Sequence, residues 1–303
     1  RFSYEALNNT DRLTKPMIKQ GGMWQEAEWQ TALEYVAHGL RNIRHEHGAD
    51  AIAAVATAHS TVEELHLLNK AVRGMGSDNV EFRLRQSDFS LDGQVTPWLG
   101  MPIAQLSTLK RALVIGSFLR KDHPLVTTRL RAATKSGLRL SLVAGADDEL
   151  LMKVAHKLIA APSDWLVALS EIVVAIAADK GLAAPAGFAQ IETSDIAKAI
   201  AASLVVVGDV ELPGAILLGN AAAQYPQASK IHAAAQWIAE QTGCSFGYLV
   251  ESANTIGGHL VGATSGKNEA PFATPKKAYV LLNAEPQLDA ANPQQAMAAL
   301  QGA

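Results

Sequence analysis

Among 303 residues there is a single cysteine, Cys244. One thiol cannot form a disulfide within the chain, nor supply the multi-cysteine ligand sets of iron–sulfur clusters or structural zinc. So thiol-poor a composition fits a reducing, cytoplasmic setting. Aromatic residues are scarce at 6%, and neither sign of charge prevails: 26 Lys and Arg face 29 Asp and Glu, for a net charge of -3. The basic residues are mixed with acidic ones, which argues against a surface for nucleic acid or anionic lipid. No apolar run reaches the roughly 18 residues of a membrane span. The longest candidate, "DWLVALSEIVVAIAADKGLAA", is broken by Ser170, Glu171 and Asp179. Phosphate loops are missing as well. Neither G-x-G-x-x-G nor G-x-x-x-x-G-K-[ST] occurs, so nucleotide binding by those devices is not expected.

What is present is apolar sequence with regular punctuation. Hydrophobic residues make up 49% of the chain, enough for a large core and a length suited to two ordinary domains. Trp29, Leu33, Val36, Leu40 and Ile43 repeat at helical spacing and predict an amphipathic helix stopped at Gly48. A strand is predicted over 49–58. Ser60 and Glu63 then read as a capping box for a helix ending near Gly74 or Gly76. Further strands are predicted at 79–84, 110–117, 138–144, 213–220 and 277–286, with helices at 124–135, 225–243 and from about Asn292. Two or three helices are expected over 148–203. This alternation predicts parallel sheets covered on both faces. Ligands of such sheets sit at the carboxyl ends of strands, here the turns "TAHS", "GSFLRKDHP", "AGADD", "LGNAAAQ" and "NAEP".

Few side chains announce chemistry. His45, Glu46 and His47 could make a metal corner, but alternate residues at a helix end point apart. His59 and His66 lie seven apart and could share a helix face, where solvated or core-edge histidine is the simpler reading. Asp147, Asp148 and Glu149 look like dipole complements at a helix start. Cys244 reads as a small buried side chain. The residues alone describe a large α/β domain without visible catalytic apparatus; no catalytic, cofactor-binding or metal residue is assigned.

Three stretches carry a resemblance. The opening contains Arg12-Leu13-Thr14-Lys15-Pro16, a short hairpin, then Trp29-Gln30-Thr31-Ala32-Leu33. With "LLGNAAAQYPQ" (217–227) and "ESANTIGGHLVGA" (251–263), it is similar to the molybdopterin oxidoreductases. Within them it most resembles the large iron–sulfur subunit, of the 75 kDa type, of bacterial NADH:quinone oxidoreductase, respiratory complex I. The resemblance implies two Rossmann-like parallel-sheet lobes of the formate dehydrogenase/DMSO reductase-like fold. It implies an opening hairpin and helix (1–48), a discontinuous lobe (49–106 with 211–303) and an inserted lobe (107–210). It implies a cluster-bearing region before Arg1, with [2Fe–2S] and [4Fe–4S] clusters, and a missing strand after Gly302. The implied partners are the other peripheral-arm subunits, among them the NADH-binding flavin subunit, on the cytoplasmic side of the bacterial inner membrane.

Catalytic relatives bind a metal through two pterin dinucleotides, and three positions here depart from their pattern. Ser87 stands where a cysteine or selenocysteine commonly follows the residue matching Arg85. Phe118-Leu119 replaces an Asn-Pro pair after Gly116-Ser117. Tyr225 stands where many relatives have histidine after Gln224. The expectation is a structural and docking domain without metal, pterin or redox centre of its own. The other readings are a catalytic molybdopterin-dependent oxidoreductase fragment, formate dehydrogenase-like, and an unrelated soluble α/β binding protein.

Overall fold

A computed structural model describes residues 4–91, 96–188, 191–206, 212–267 and 269–303. Strands β1 (Met17–Gln20) and β2 (Met23–Glu26) form an antiparallel hairpin. The helix Trp29–His47 follows and ends at Gly48, as its periodicity predicts. None of its residues is buried, and Trp29, Leu33 and Val36 are each more than half exposed. Periodicity foresees the helix but not what covers it.

β3 (Ile52–Ala56) is buried along its whole length, whereas β4 (Val80–Glu81) has two residues. The strand expected over 79–84 stops at Glu81 because that side chain turns back on its own backbone. Its Oε1 accepts the N–H groups of Phe82 and Arg83 at 3.0 and 2.9 Å, so those donors have a partner outside the ladder. Between the strands, the helix Val62–Gly74 has a capping box made by Thr61 and Glu64. That is one residue later than the expected Ser60–Glu63 pair. Ser60 is fully buried, and its Oγ accepts from Asn283 Nδ2 at 3.3 Å.

β5 (Arg111–Ile115), β6 (Arg139–Ala144), β7 (His156–Ile159), β8 (Gly214–Leu218) and β9 (Ser245–Tyr248) form one parallel sheet in the order β7-β6-β5-β8-β9. β7 lies in a stretch expected to be helical; its four residues are too few for periodicity to tell the two apart. β10 (Ala278–Leu282) pairs in parallel with β3, giving the second sheet, β10-β3-β4. Among the described residues β10 and β4 each pair on one side only.

Sheet membership corrects one expectation. The discontinuous lobe implied by the resemblance puts every strand after 213 beside β3, but only β10 is there; β8 and β9 extend the middle sheet. The cause is local to Gly214, which pairs with Arg111. A methyl group on Gly214 would lie 2.5 Å from Cys244 Sγ and 2.9 Å from Arg111 Cγ, so the bare backbone lets β8 seat against β5. The expected boundary at 210/211 falls outside the described residues.

Alternation along the central strands divides the core. Leu113, Ile115, Val143, Ile216 and Leu218 pack on the helices Trp165–Asp179, Asp195–Leu204 and Ala228–Thr242. Ala112, Val114, Leu140, Leu142 and Leu217 face Leu106, Leu119, Leu130 and Leu249.

Arg111 opens β5 and is buried, 6% exposed. Its Nη1 donates to the carbonyls of Leu204 and Thr242 (the latter at 2.6 Å), and its Nε to that of Leu212 at 3.1 Å. Leu204 and Thr242 are the last residues of two helices. One guanidinium therefore satisfies the carbonyl ends of both and complements both dipoles. Arg111→Met should cost about 3 kcal/mol, because buried carbonyls lose a charged donor. A urea midpoint unchanged from the parent would contradict this.

Candidate functional site: the strand ends and the cleft between the sheets

In the middle sheet the chain direction of strand addition reverses between β5 and β8. That switch point is where open α/β sheets usually hold a ligand. Here the two turns meet each other. Ala221 N–H donates to Gly116 O at 3.0 Å and Gly219 N–H to Ile115 O at 2.8 Å. A Cβ on Gly219 would lie 2.3 Å from Ser117 Cβ. The adjoining cavity, lined by Ser117, Phe118, Asp147, Lys157 and Trp165 among others, holds about 20 Å³, room for a water molecule.

Ser117 and His123 form a pair that nothing in the sequence announces. His123 Nε2 lies 3.1 Å from Val250 O, which can only accept, so Nε2 carries the proton. Nδ1, 3.2 Å from Ser117 Oγ, is then the acceptor. The pair has the atoms of a nucleophile and base, but His123 does not line the adjoining cavity. It ties the turn after β5 to the crossing at Val250.

Larger spaces lie between the two sheets. Two adjoining cavities of about 100 Å³ each share Arg83, Gln86, Pro97, Ala223, Tyr248 and His259 as lining. Both arginines facing them have a carboxylate. Arg83, its side chain 7% exposed, binds Glu81 through two contacts, Nε–Oε1 at 2.7 Å and Nη2–Oε2 at 2.6 Å. Arg85 reaches Glu251 at 3.2 Å and Asp289 at 3.7 Å. Asp88 Oδ2 accepts the N–H and Oγ–H of Ser229 at 2.9 and 2.6 Å, and its Oδ1 accepts from Ser90. Partial burial opposes ionisation of Asp88, yet the hydrogen bonds from Ser229 and Ser90 prevail and hold its pKa at about 2. Asn220 Oδ1 also belongs here; among the described residues it is buried without a partner.

Tyr248 fronts the same cleft and is anchored from behind. Its hydroxyl lies 2.6 Å from His232 Nδ1, and His232 Nε2 lies 2.9 Å from Gln236 Oε1. Burial pushes the imidazole towards its neutral form and the phenol well above its usual range. Tyr248 therefore donates to His232.

The residues singled out from the sequence do not gather there. Ser87 is exposed, while its neighbours Gln86 and Asp88 line the cleft. Phe118 lines the small cavity at 40% exposure, but Leu119 is 1% exposed and packs in the core, so only one of the pair narrows an opening. Tyr225 lies against Trp165, ring centroids 6.2 Å apart; Gln224 faces the cleft instead. His59 precedes its helix and sits 3.2 Å from Ser252 Oγ, so it shares no helix face with His66. Asp147, Asp148 and Glu149 begin no helix; Asp147 pairs with Lys157. His45, Glu46 and His47 end an exposed helix. Among the described residues no group of three or more His, Cys, Asp and Glu could hold a metal ion, and no helix is long and apolar enough to cross a membrane.

Comparison with known proteins places this geometry in a family. Residues 12–302 match the molybdopterin oxidoreductase family, and the chain belongs to it. Similar proteins include "Probable oxidoreductase YjgC" of Bacillus subtilis (strain 168), 32% identical over 141 residues, and "Putative formate dehydrogenase SH0748" of Staphylococcus haemolyticus (strain JCSC1435), 31% identical over 141 residues. Each match covers 45% of this chain and 14% of the relative. Acetylene hydratase from Pelobacter acetylenicus is 15% identical with a TM-score of 0.47, covering 86% of this chain and 36% of that one.

Two expected outcomes follow from the charges and the thiol. Asp88, and Asp50 through its hydrogen bond from Lys267 chiefly, both ionise at about 2 in the fold against an ordinary 3.8. The unfolded chain thus takes up protons first as pH falls. Their stabilisation is complete above about pH 4 and is lost towards about pH 2. Urea midpoints measured across that window should drop, and Asp88→Asn should shrink the drop; an equal drop in the variant would count against Asp88. Cys244 is 8% exposed, and burial raises its pKa despite Thr242 and Arg111. A polar thiol reagent should therefore label native protein far more slowly than urea-unfolded protein; equal rates would refute the burial.

Proposed function

We propose that this member of the molybdopterin oxidoreductase family is part of the C-terminal domain of the large iron–sulfur subunit of a bacterial NADH:quinone oxidoreductase. In this reading it is a structural and docking domain without a redox centre. The clusters that pass electrons from NADH towards quinone reside elsewhere in the subunit. Its neighbours are the other peripheral-arm subunits, including the NADH-binding flavin subunit, on the cytoplasmic side of the inner membrane. The matched segments span 14% of each relative, and the activity proposed is that of the whole protein.

The observation that carries the cofactor-free reading is the pairing of charges in the cleft. A pterin dinucleotide brings a pyrophosphate, which needs donors that are not already engaged. Arg83 and Arg85 face carboxylates, and Asp88 holds the Ser229 donors. An anion placed there would meet Asp88 and Glu251 and would displace internal partners, leaving buried groups unsatisfied at about 1–3 kcal/mol each. The residues present do not fit the cofactor.

The second reading, a catalytic formate dehydrogenase-like fragment, is favoured by the names of the similar Staphylococcus proteins. Metal analysis and pterin extraction separate the two, on protein produced in a host that makes molybdopterin. The docking reading expects neither molybdenum, tungsten nor pterin above background. Stoichiometric metal with pterin would overturn it and establish the catalytic alternative.

A further inference from the structure

We propose that Asp88 is the internal bridge between the two lobes, a carboxylate built into the chain at the place where the cleft would otherwise receive an anion. The proposal deepens the cofactor-free reading and rests on it only for the absence of a competing anion.

Asp88 follows β4, in the segment that leaves the small sheet. Ser229 lies 141 positions away, in the first turn of the 15-residue helix Ala228–Thr242, which covers the middle sheet. The N-cap residue of this helix, Gln227, makes no side-chain cap bond. Ala228 N–H donates to Tyr225 O, and the N–H groups of Lys230 and Ile231 donate to Gln227 O. The Ser229 amide instead finds its acceptor in Asp88, whose charge also suits the positive dipole end. Asp88 supplies this from the other lobe, with Oδ2 on the amide and hydroxyl of the same serine.

The loop is shaped to present that oxygen. Oδ1 accepts from the amide and hydroxyl of Ser90, and Gln86 Nε2 donates to the Asp88 carbonyl at 2.8 Å. The carboxylate is thus held from its own side by Ser90 and spends its other oxygen across the cleft. Phe89 is buried, and the Arg83 guanidinium lies 5.2 Å from its ring centroid. Arg83 itself is fixed by Glu81, which anchors the segment leading to the bridge. Such preorganisation is what a bridging contact requires if it is to outweigh the entropy of ordering a loop.

A carboxylate in this position does two things. It couples the lobes, because opening the cleft would uncap a helix and strand a charge. It also repels any diffusible anion from the same donors. Exclusion of anions at this helix end therefore resides in one side chain, and removing it should turn an anion-indifferent contact into an anion-dependent one.

The experiment compares the chain with Asp88→Ala and Asp88→Asn by hydrogen exchange of the Ser229 amide, with and without inorganic pyrophosphate at constant ionic strength. In Asp88→Ala, exchange should accelerate about tenfold, the size of a lost cap together with a lost dipole partner. Pyrophosphate should restore protection in this variant and leave the parent unchanged. Asp88→Asn keeps an acceptor without the charge; it should fall between the two and also serves if the alanine variant fails to fold. Parent-like exchange in both variants would overturn the bridge. Acceleration that pyrophosphate does not reverse would reduce Asp88 to an ordinary cap and overturn the anion-surrogate part. Pyrophosphate protecting the parent as strongly as the variant would refute the exclusion of anions. None of these outcomes depends on metal or pterin content, so the two readings fail separately.

Discussion

A guanidinium cannot shed its proton in a protein interior, so a buried arginine forces its surroundings to supply acceptors. Arg111 imposes that condition at the start of the central strand β5. The acceptors are carbonyls at the ends of two helices, together with that of Leu212 just before β8. Strand order follows from this arrangement. β8 can lie beside β5 only if its first residue leaves space for the arginine, and Gly214 does so. Cys244 fills the remaining gap and stays buried. The helices Asp195–Leu204 and Ala228–Thr242 then cover one face of the sheet in fixed register, because their carbonyl ends converge on one cation.

The same economy of internal partners appears at the opposite end of the strands. Turns that open into ligand crevices in other doubly wound sheets here hydrogen-bond to each other, Ala221 to Gly116 and Gly219 to Ile115. Across the cleft, Arg83, Arg85, Asp88 and Glu251 are satisfied within the chain. A family fold that elsewhere frames a cofactor has in this chain a joint whose polar groups face one another. Surface ion pairs add little to stability, but Glu81 and Arg83 are both nearly inaccessible, and a buried pair is costly to break.

The fold is legible in the sequence where a local pattern decides the outcome. Gly48 and Gly243 stop the helices they are expected to stop, because a helix exit is set within one turn. β3 and β5 are short apolar runs of strand length. Legibility fails where a distant partner decides. Ser60 and Thr61 are chemically interchangeable as caps, and it is distant partners that occupy Ser60: Asn283, 223 residues on, donates to its hydroxyl and Asn254 to its carbonyl. β7 is four residues at a sheet edge. β8 and β9 have the composition of any buried strand, and their allegiance is set by what fits beside Arg111. The site is less legible still. Ser87, Phe118 and Tyr225 stand out by comparison with a pattern, yet Asp88, one position from Ser87, makes the interlobe contact. A lone aspartate in "QSDFS" carries no signal of the serine 141 residues away.

The helix Ala228–Thr242 joins these two themes. Its amino end faces a carboxylate, Asp88, and its carboxyl end a guanidinium, Arg111. Neither side chain belongs to the helix, and they come from different lobes: Arg111 from the middle sheet, Asp88 from the segment after β4. The roughly half-charges at the two ends of a helix dipole are thus each met by a full charge of opposite sign. The helix cannot shift along its axis without lengthening one contact, and its apolar face, with Ile231, Ala235 and Ile238 fully buried, cannot rotate without leaving the core. It is therefore fixed both along and about its axis, and through Asp88 it fixes the small sheet's loop against the middle sheet. Side chains of the chain itself thus set the relation between the two lobes.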